Sequence, residues 1–356
     1  MFGRIYLGEL KKIVRPKAMI ILAAVLVVLL IGYAIFFNLV GDFTKMINET
    51  IETEDGQIIP GFQQDYTFTE EKVEEEIAML EGEVAELEEE YKMEKNGYNV
   101  YASMFSMRAR LTALKYVKEH KLYGQDARFL GVNYSIGGAI LTADGFVFDY
   151  MAAVASVMAI YAIVIGAGLL TDEFKNGTIK LLLTRPISKN QLISAKLLAA
   201  LTVSLGIGAL FTLIGYIYGL IAFSSESTLP IYLVFNSKKV IRSTVGGYLF
   251  GSFLLSLCRI ATMCLIAYFI GTFFRKKTTG IVVTIVIHLK IISGILGLFP
   301  VQIALLVPNM NLINYFVPDA SVPIYGNFFI SLAVYVVYLA ATVFGLYYSV
   351  NKRDVV

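Results

Sequence analysis

Long apolar runs alternate with short polar connectors along this chain. Four runs contain no charged residue, and two more contain a single Arg or Lys each. An apolar run of about 18 residues or more is long enough to cross the ~30 Å hydrocarbon core of a bilayer as a helix. The pattern predicts an all-α polytopic membrane protein with six transmembrane helices. The predicted spans are residues 18–40, 150–170, 197–223, 245–274, 280–299 and 328–350.

Composition agrees with this prediction. The chain has 356 residues, of which 57% are hydrophobic and 16% are charged, whereas soluble domains carry roughly 25% charged residues. The first run, 18–40, is 23 residues long, and signal peptides have apolar cores of about 7–15 residues. We therefore predict that this run is a retained span.

The connectors divide into a basic set and an acidic set. With six spans, one side carries residues 1–17, 171–196, 275–279 and 351–356, which hold 15 Lys and Arg against 4 Asp and Glu, a net charge of +11. The other side has a net charge of −11. Short loops rich in Lys and Arg face the cytoplasm. The charges predict a multi-pass protein of the cytoplasmic membrane with both termini in the cytoplasm.

A segment that mixes basic and apolar residues precedes the first span. Residues 2–15 place apolar side chains at helical spacing among basic ones, which predicts an interfacial helix. A basic tail that only sets the topology is the alternative. Residues 1–40 thus form the interfacial helix and the first span. Residues 150–356 form the remaining spans.

Residues 41–149 form the largest predicted soluble segment. A heptad of apolar residues flanked by glutamates predicts a coiled-coil-like helix, and a basic helical stretch follows Asn96–Gly97. We predict an extracellular helical hairpin with one acidic arm and one basic arm. It is either a binding domain or a spacer and dimerisation strut. The heptad positions are Val73, Ile77, Leu80, Val84, Leu87 and Tyr91.

Residues 295–325 are apolar but contain four prolines, so no continuous helix can run through them. Irregular backbone at membrane depth persists only where it is buried in protein or lines a cavity. The segment is predicted to be a re-entrant helical pair before the last span, with an ordinary external loop as the alternative.

The connector 171–196 is more ordered than a solvated loop requires. Thr171 or Asp172 is able to cap a helix beginning there, and an amphipathic stretch, a proline turn and a second helix follow. Such an element is suited to docking in a groove of a separate cytoplasmic protein.

This connector resembles the segment that follows the second span in bacterial type 2 ABC transporter permeases. The resemblance implies six spans, an N-terminal interfacial helix, a cytoplasmic coupling helix in 171–196 and a re-entrant hairpin. It does not cover 41–149. The matching residues are Glu173, Phe174, Gly177, Thr178, Ile179, Leu182, Leu183, Pro186, Ile187, Ser188, Ile193, Lys196 and Leu197. The residues predicted to couple to a partner are Glu173, Phe174, Gly177, Thr178, Leu182, Arg185 and Pro186.

The sequence contains no G-x-x-x-x-G-K-[ST] motif, so no P-loop for ATP is predicted. The resemblance implies that ATP and Mg²⁺ are bound by a separate ABC ATPase subunit in two copies. It also implies a second permease chain, as a homodimer or heterodimer. Membrane lipid is the other expected partner, and no nucleic acid is. We assign no catalytic, cofactor or metal-binding residue, since transport needs no chemistry on the substrate.

Two cations lie inside predicted spans. Intramembrane charge is costly and usually functional, so Arg259 and Lys290 are predicted to contact an anionic group on the substrate. Alternatively, they bond to backbone carbonyls, or Lys290 reaches an interface.

The sequence thus predicts the permease subunit of an ATP-driven ABC transporter, and an exporter is favoured. A membrane receptor or sensor with a ligand-binding extracellular domain is the alternative. A membrane-embedded enzyme is a third interpretation, and its usual His, Asp and Glu clusters at membrane depth are missing from the sequence.

Overall fold

The computed structural model describes residues 2–48, 51–52, 58–59, 69–93, 98–124, 128–130, 143–178, 188–223, 230–291, 304–317 and 326–352. Its helices are α1 Phe2–Ile13, α2 Pro16–Asn48, α3 Glu70–Met93, α4 Tyr98–His120, α5 Ala143–Lys175, α6 Lys189–Ala222, α7 Val245–Phe274, α8 Lys277–His288, α9 Leu306–Met310 and α10 Phe328–Lys352. Its strands are β1 Ile51–Glu52, β2 Ile58–Ile59, β3 Arg128–Phe129, β4 Ile231–Phe235 and β5 Lys239–Ser243.

Five helices in the described part of the chain are long and apolar enough to cross a membrane. They are Pro16–Val40, Gly145–Lys175, Lys189–Ala222, Val245–Phe274 and Phe328–Lys352. The fifth predicted span, 280–299, is described only in part. Its first half belongs to the 12-residue α8, and residues 292–299 lie outside the described residues. The structure therefore gives an all-α membrane bundle with five such helices, and a sixth span stays a prediction.

Helix α5 lies at the centre of the bundle, packed against α2, α6, α7 and α8. Close backbone contact explains this arrangement. A Cβ added to Gly271 in α7 would lie 2.8 Å from the carbonyl oxygen of Ala167 in α5, and one added to Gly280 in α8 would lie 2.9 Å from the Gly271 Cα atom. Small residues let membrane helices approach in this way, because packing rather than hydrophobicity joins helices in lipid.

Helices α3 and α4 form an antiparallel pair outside the bundle. Of the heptad positions, Val73, Leu80 and Val84 are buried. Acidic side chains of α3 pair with basic side chains of α4. The ion pairs among the described side chains are Glu74–Lys118, Glu76–Arg110, Glu81–Lys115 and Glu88–Arg108.

A small sheet packs on this pair and was not predicted from the sequence. β4 pairs antiparallel with β5, and β3 joins β4 in parallel. Phe129 of β3 stacks on Tyr232 of β4 with ring centroids 4.9 Å apart. Both rings are buried with the inner faces of α3 and α4. The soluble module therefore consists of α3, α4 and β3 together with the β4–β5 hairpin between α6 and α7.

The turn between β4 and β5 fastens this module to the bundle. Asn236 and Ser237 both have a φ of 56°, as the two central residues of a type I′ turn require. The Asn236 amide donates to the Tyr315 carbonyl at 2.7 Å, and its side-chain oxygen accepts from the Phe328 amide at 3.3 Å. Ser237 donates to the Phe105 carbonyl of α4 at 2.8 Å.

The proline-rich region is described only between 304 and 317 within the predicted 295–325. It holds α9 and a 3₁₀ helix, Leu312–Tyr315. The buried Asn309 accepts a hydrogen bond from Ser331 of α10 at 2.5 Å, and Ser331 also bonds to the Tyr315 hydroxyl at 2.6 Å. This region is thus joined to both α10 and the soluble module.

Candidate functional site

The end of the bundle opposite the soluble module gathers α1 and the two limbs of the connector 171–196. Helix α5 continues through Thr171 and Asp172 to Lys175, so the expectation that a helix begins there is wrong. Gly177, with a φ of +67°, turns the chain after α5, and glycine adopts this conformation without steric cost. Ser188 caps the following helix, accepting a hydrogen bond from the Gln191 amide. The connector therefore leaves and re-enters the bundle at defined points.

A buried ion network joins α1, α5 and α6 at this end. The Lys196 side chain is only 1% exposed, and its Nζ lies 2.9 Å from Glu9 Oε2 and 3.1 Å from Glu173 Oε1. Lys12 Nζ lies 2.8 Å from Glu9 Oε1 and 3.0 Å from Glu173 Oε1. Two lysines therefore bridge the same two carboxylates. Buried charges need such pairing, because leaving one alone costs several kcal/mol.

The end of α5 adds further contacts to this network. The Thr178 hydroxyl donates to Glu173 Oε2 at 2.5 Å, which holds the turn at Gly177 against the carboxylate. Phe174 packs on the core of the bundle, and the Arg275 guanidinium lies 5.5 Å from its ring centroid. Four predicted coupling residues, Glu173, Phe174, Gly177 and Thr178, thus meet in one place.

Two further contacts tie neighbouring helices to the connector. Lys277 Nζ, at the start of α8, lies 3.0 Å from Asp172 Oδ2. The Asn351 amide of α10 donates to the Asn190 side chain of α6 at 2.8 Å. The connector therefore contacts α1, α8 and α10 and continues into α5 and α6.

Lys12 is the more accessible lysine of the network, with its side chain 52% exposed. Partial burial lowers the pKa of Lys12, but hydrogen bonds and the charges of Glu9 and Glu173 outweigh burial and raise it. A lysine whose pKa is raised on folding stabilises the fold below its ordinary pKa, and the contribution is lost as the pH rises through the higher value. The Lys12 contacts therefore persist at neutral pH.

The remaining coupling residues, Leu182, Arg185 and Pro186, lie outside the described residues. Sequence reasoning missed Glu9, Lys12 and Lys277 as members of the site. One signal was available, since Glu9 is the only acidic residue in the basic segment 1–17. Its pairing with Lys196 could not be found from spacing, because almost two hundred residues separate them.

The two intramembrane cations lie in a second polar region. Arg259 of α7 is half-buried, and its Nη2 donates to Ser156 Oγ of α5 at 2.8 Å. Lys290 follows α8 with a φ of 60° and is exposed. Among the described residues, no carboxylate forms an ion pair with Arg259.

These helices and this connector define a helical multi-pass membrane protein with a buried ion network at one end. A sequence profile of the family described as ABC-2 family transporter protein matches residues 4–355. The chain belongs to this family, which confirms the resemblance seen in the connector.

A protein of Bacillus subtilis (strain 168), described as "Uncharacterized protein YhcI", is 30% identical over 127 residues. The aligned part covers 34% of this chain and 40% of that relative. The chain therefore matches less than half the length of this relative. No solved structure matches the chain.

Proposed function

We propose that this chain is the permease subunit of an ATP-driven ABC transporter and works as an exporter in the cytoplasmic membrane. The observation that carries the proposal is the buried network of Lys196, Glu9 and Glu173, which joins the two described limbs of the connector to each other and to α1. Membership of the ABC-2 family and the five apolar helices support it. If the connector were only a solvated loop, it would not need buried charges at its two ends, since buried charges are costly unless they are paired.

In the proposed mechanism, a separate ATPase subunit grips the connector from the cytoplasm through Leu182, Arg185 and Pro186. ATP and Mg²⁺ bind in that partner. Closure of two ATPase subunits pulls on the segment after Gly177, and Glu173 passes this movement to α6 through Lys196 and to α1 through Lys12. Because only Val14 and Arg15 separate α1 from α2, the first span moves with α1. Two permease chains, identical or different, complete the transporter.

Arg259 and Lys290 are proposed to line the substrate pathway and to attract an anionic group. Arg259 has only a neutral hydroxyl as its described side-chain hydrogen-bond partner, and an unpaired charge at membrane depth usually marks a functional site.

The receptor interpretation is not favoured. It depended on the acidic face of the soluble segment as a ligand site, and four glutamates of α3 pair with α4 instead. The family match covers this segment together with the spans.

The proposal is tested by co-expression with an ABC ATPase subunit from the same genome, followed by purification through a tag on the ATPase. We expect the two chains to purify together and to hydrolyse ATP. Glu173→Gln and Arg185→Ala are expected to lower this hydrolysis severalfold, because they weaken the transmission of movement through the connector. The matched control is Glu119→Gln, an exposed acid at the end of α4. Transport by the chain alone in vesicles without nucleotide would overturn the proposal.

A further inference from the structure

A pocket of about 500 Å³ lies between the α1–α2 junction, α5 and α8. This volume falls within the range of roughly 300–1,000 Å³ that is usual for small-molecule sites. It borders the ion network, but most of its wall belongs to other residues. Its position next to Pro16, where the first apolar helix begins, places it at the predicted membrane surface.

The pocket is lined by one more basic side chain than acidic side chains. Its three acids are Glu9, Asp172 and Glu173, and its four bases are Lys12, Arg15, Lys196 and Lys277. The three lysines all pair with these acids. Among the residues that the structure describes, no carboxylate pairs with Arg15, which is exposed at the pocket rim. The pocket therefore carries one uncompensated positive charge.

The inner wall of the pocket is apolar. Tyr161, Val164 and Ile165 follow one face of α5, at the spacing that places side chains together on a helix, and Ala18 of α2 lies opposite. Val164 is 39% exposed. All four residues lie within helices long enough to span a membrane. A ligand for this pocket therefore needs one negative charge at its polar end and an apolar body.

We propose that this pocket binds an anionic glycerophospholipid of the phosphatidylglycerol type. Its phosphodiester, with a single negative charge, pairs with Arg15, and the start of an acyl chain lies on Val164 and Ile165. A zwitterionic phosphatidylethanolamine fits less well, since its ammonium group would add positive charge to a rim that already has an excess. The site is independent of the proposed coupling to an ATPase and can be tested on this chain alone.

The absence of tryptophan from the chain permits a direct test by fluorescence quenching. Val164→Trp places a single reporter in the pocket. Leu198→Trp is the control, because Leu198 is an exposed apolar residue of α6. It lies nine residues after the start of α6, and Val164 lies eleven residues before the end of α5. Each full-length variant is reconstituted in phosphatidylcholine vesicles that contain an equal fraction of brominated phosphatidylglycerol or brominated phosphatidylethanolamine. If Val164→Trp does not fold, Tyr161→Trp on the same face replaces it.

We expect the pocket reporter to show about fivefold stronger binding of the brominated phosphatidylglycerol, the ratio that corresponds to ~1 kcal/mol for one basic side chain at a lipid phosphate. The control reporter is expected to show little preference. Adding Arg15→Gln should remove the preference, whereas Lys17→Gln, an exposed neighbour outside the pocket, should retain it. Equal preferences at the two reporters, or a preference that survives Arg15→Gln, would overturn the proposal.

Discussion

Replacing Lys196 by methionine tests whether the buried network holds α1 to the bundle. Methionine matches the length and apolar stem of lysine but cannot pair with a carboxylate. The variant leaves Glu9 and Glu173, whose side chains are 8% and 13% exposed, with Lys12 as their remaining described cation. That lysine is 52% exposed, so it compensates the two charges only in part.

The expected cost follows from the burial of these groups. Removing one partner from a buried ion pair typically costs 3–5 kcal/mol. We take the lower end, about 3 kcal/mol, because Lys12 stays close to both carboxylates. At 1.36 kcal/mol for each factor of ten, this corresponds to a change of roughly 150-fold in the opening equilibrium of α1.

Hydrogen exchange measured by mass spectrometry reports this opening directly. Peptides from Phe2–Ile13 should exchange about 150-fold faster in Lys196→Met, if α1 opens as a local unit. Peptides from α3 in the soluble module serve as an internal reference and should not change.

Two controls separate lost pairing from general damage. Lys189→Met removes a lysine of the same helix whose Nζ lies 3.4 Å from the Val350 carbonyl, and a change of about twofold or less is expected for this surface site. Combining Lys196→Met with Glu9→Gln and Glu173→Gln should restore most of the protection, since no buried charge then lacks a partner. Unchanged exchange of α1 in Lys196→Met would refute the reasoning.

Three further predictions concern the packing of the bundle core, the turn that joins the soluble module to the bundle, and Arg259. Gly271→Ala brings a Cβ to 2.8 Å from the Ala167 carbonyl oxygen and should cost about 1–3 kcal/mol, seen as a lower melting temperature. Gly251→Ala, where nothing lies within 4 Å, should not lower it. Asn236→Ala forces an alanine to a φ of 56° and should loosen the module by about 1–3 kcal/mol, measured by limited proteolysis, whereas Asn236→Gly keeps the turn and should lose less. Arg259→Gln should reduce transport without reducing assembly, and unchanged transport would remove Arg259 from the proposed pathway.

Elements whose physical cause is local could be predicted from the amino-acid pattern alone. Lipid requires each spanning helix to satisfy its own backbone and to be apolar along its length, so apolar runs with at most one charged residue located the five long apolar helices. The heptad with Val73 and Leu80 located α3 for a similar reason, because its buried face repeats within one helix. The motif around Glu173 was sufficient to indicate the family.

Contacts between residues far apart in the chain could not be predicted and are known only from the folded structure. Strand β3 has two residues and pairs with β4 about a hundred positions later, and a pattern this short predicts nothing. The same holds for Glu9 and Lys196, whose contact depends on how α1 folds back on α6. Sequence patterns report the environment along one element, whereas an ion network or a parallel sheet depends on the packing of several. The long apolar helices could therefore be predicted from the sequence, but the ion pairs that join one helix to another could not.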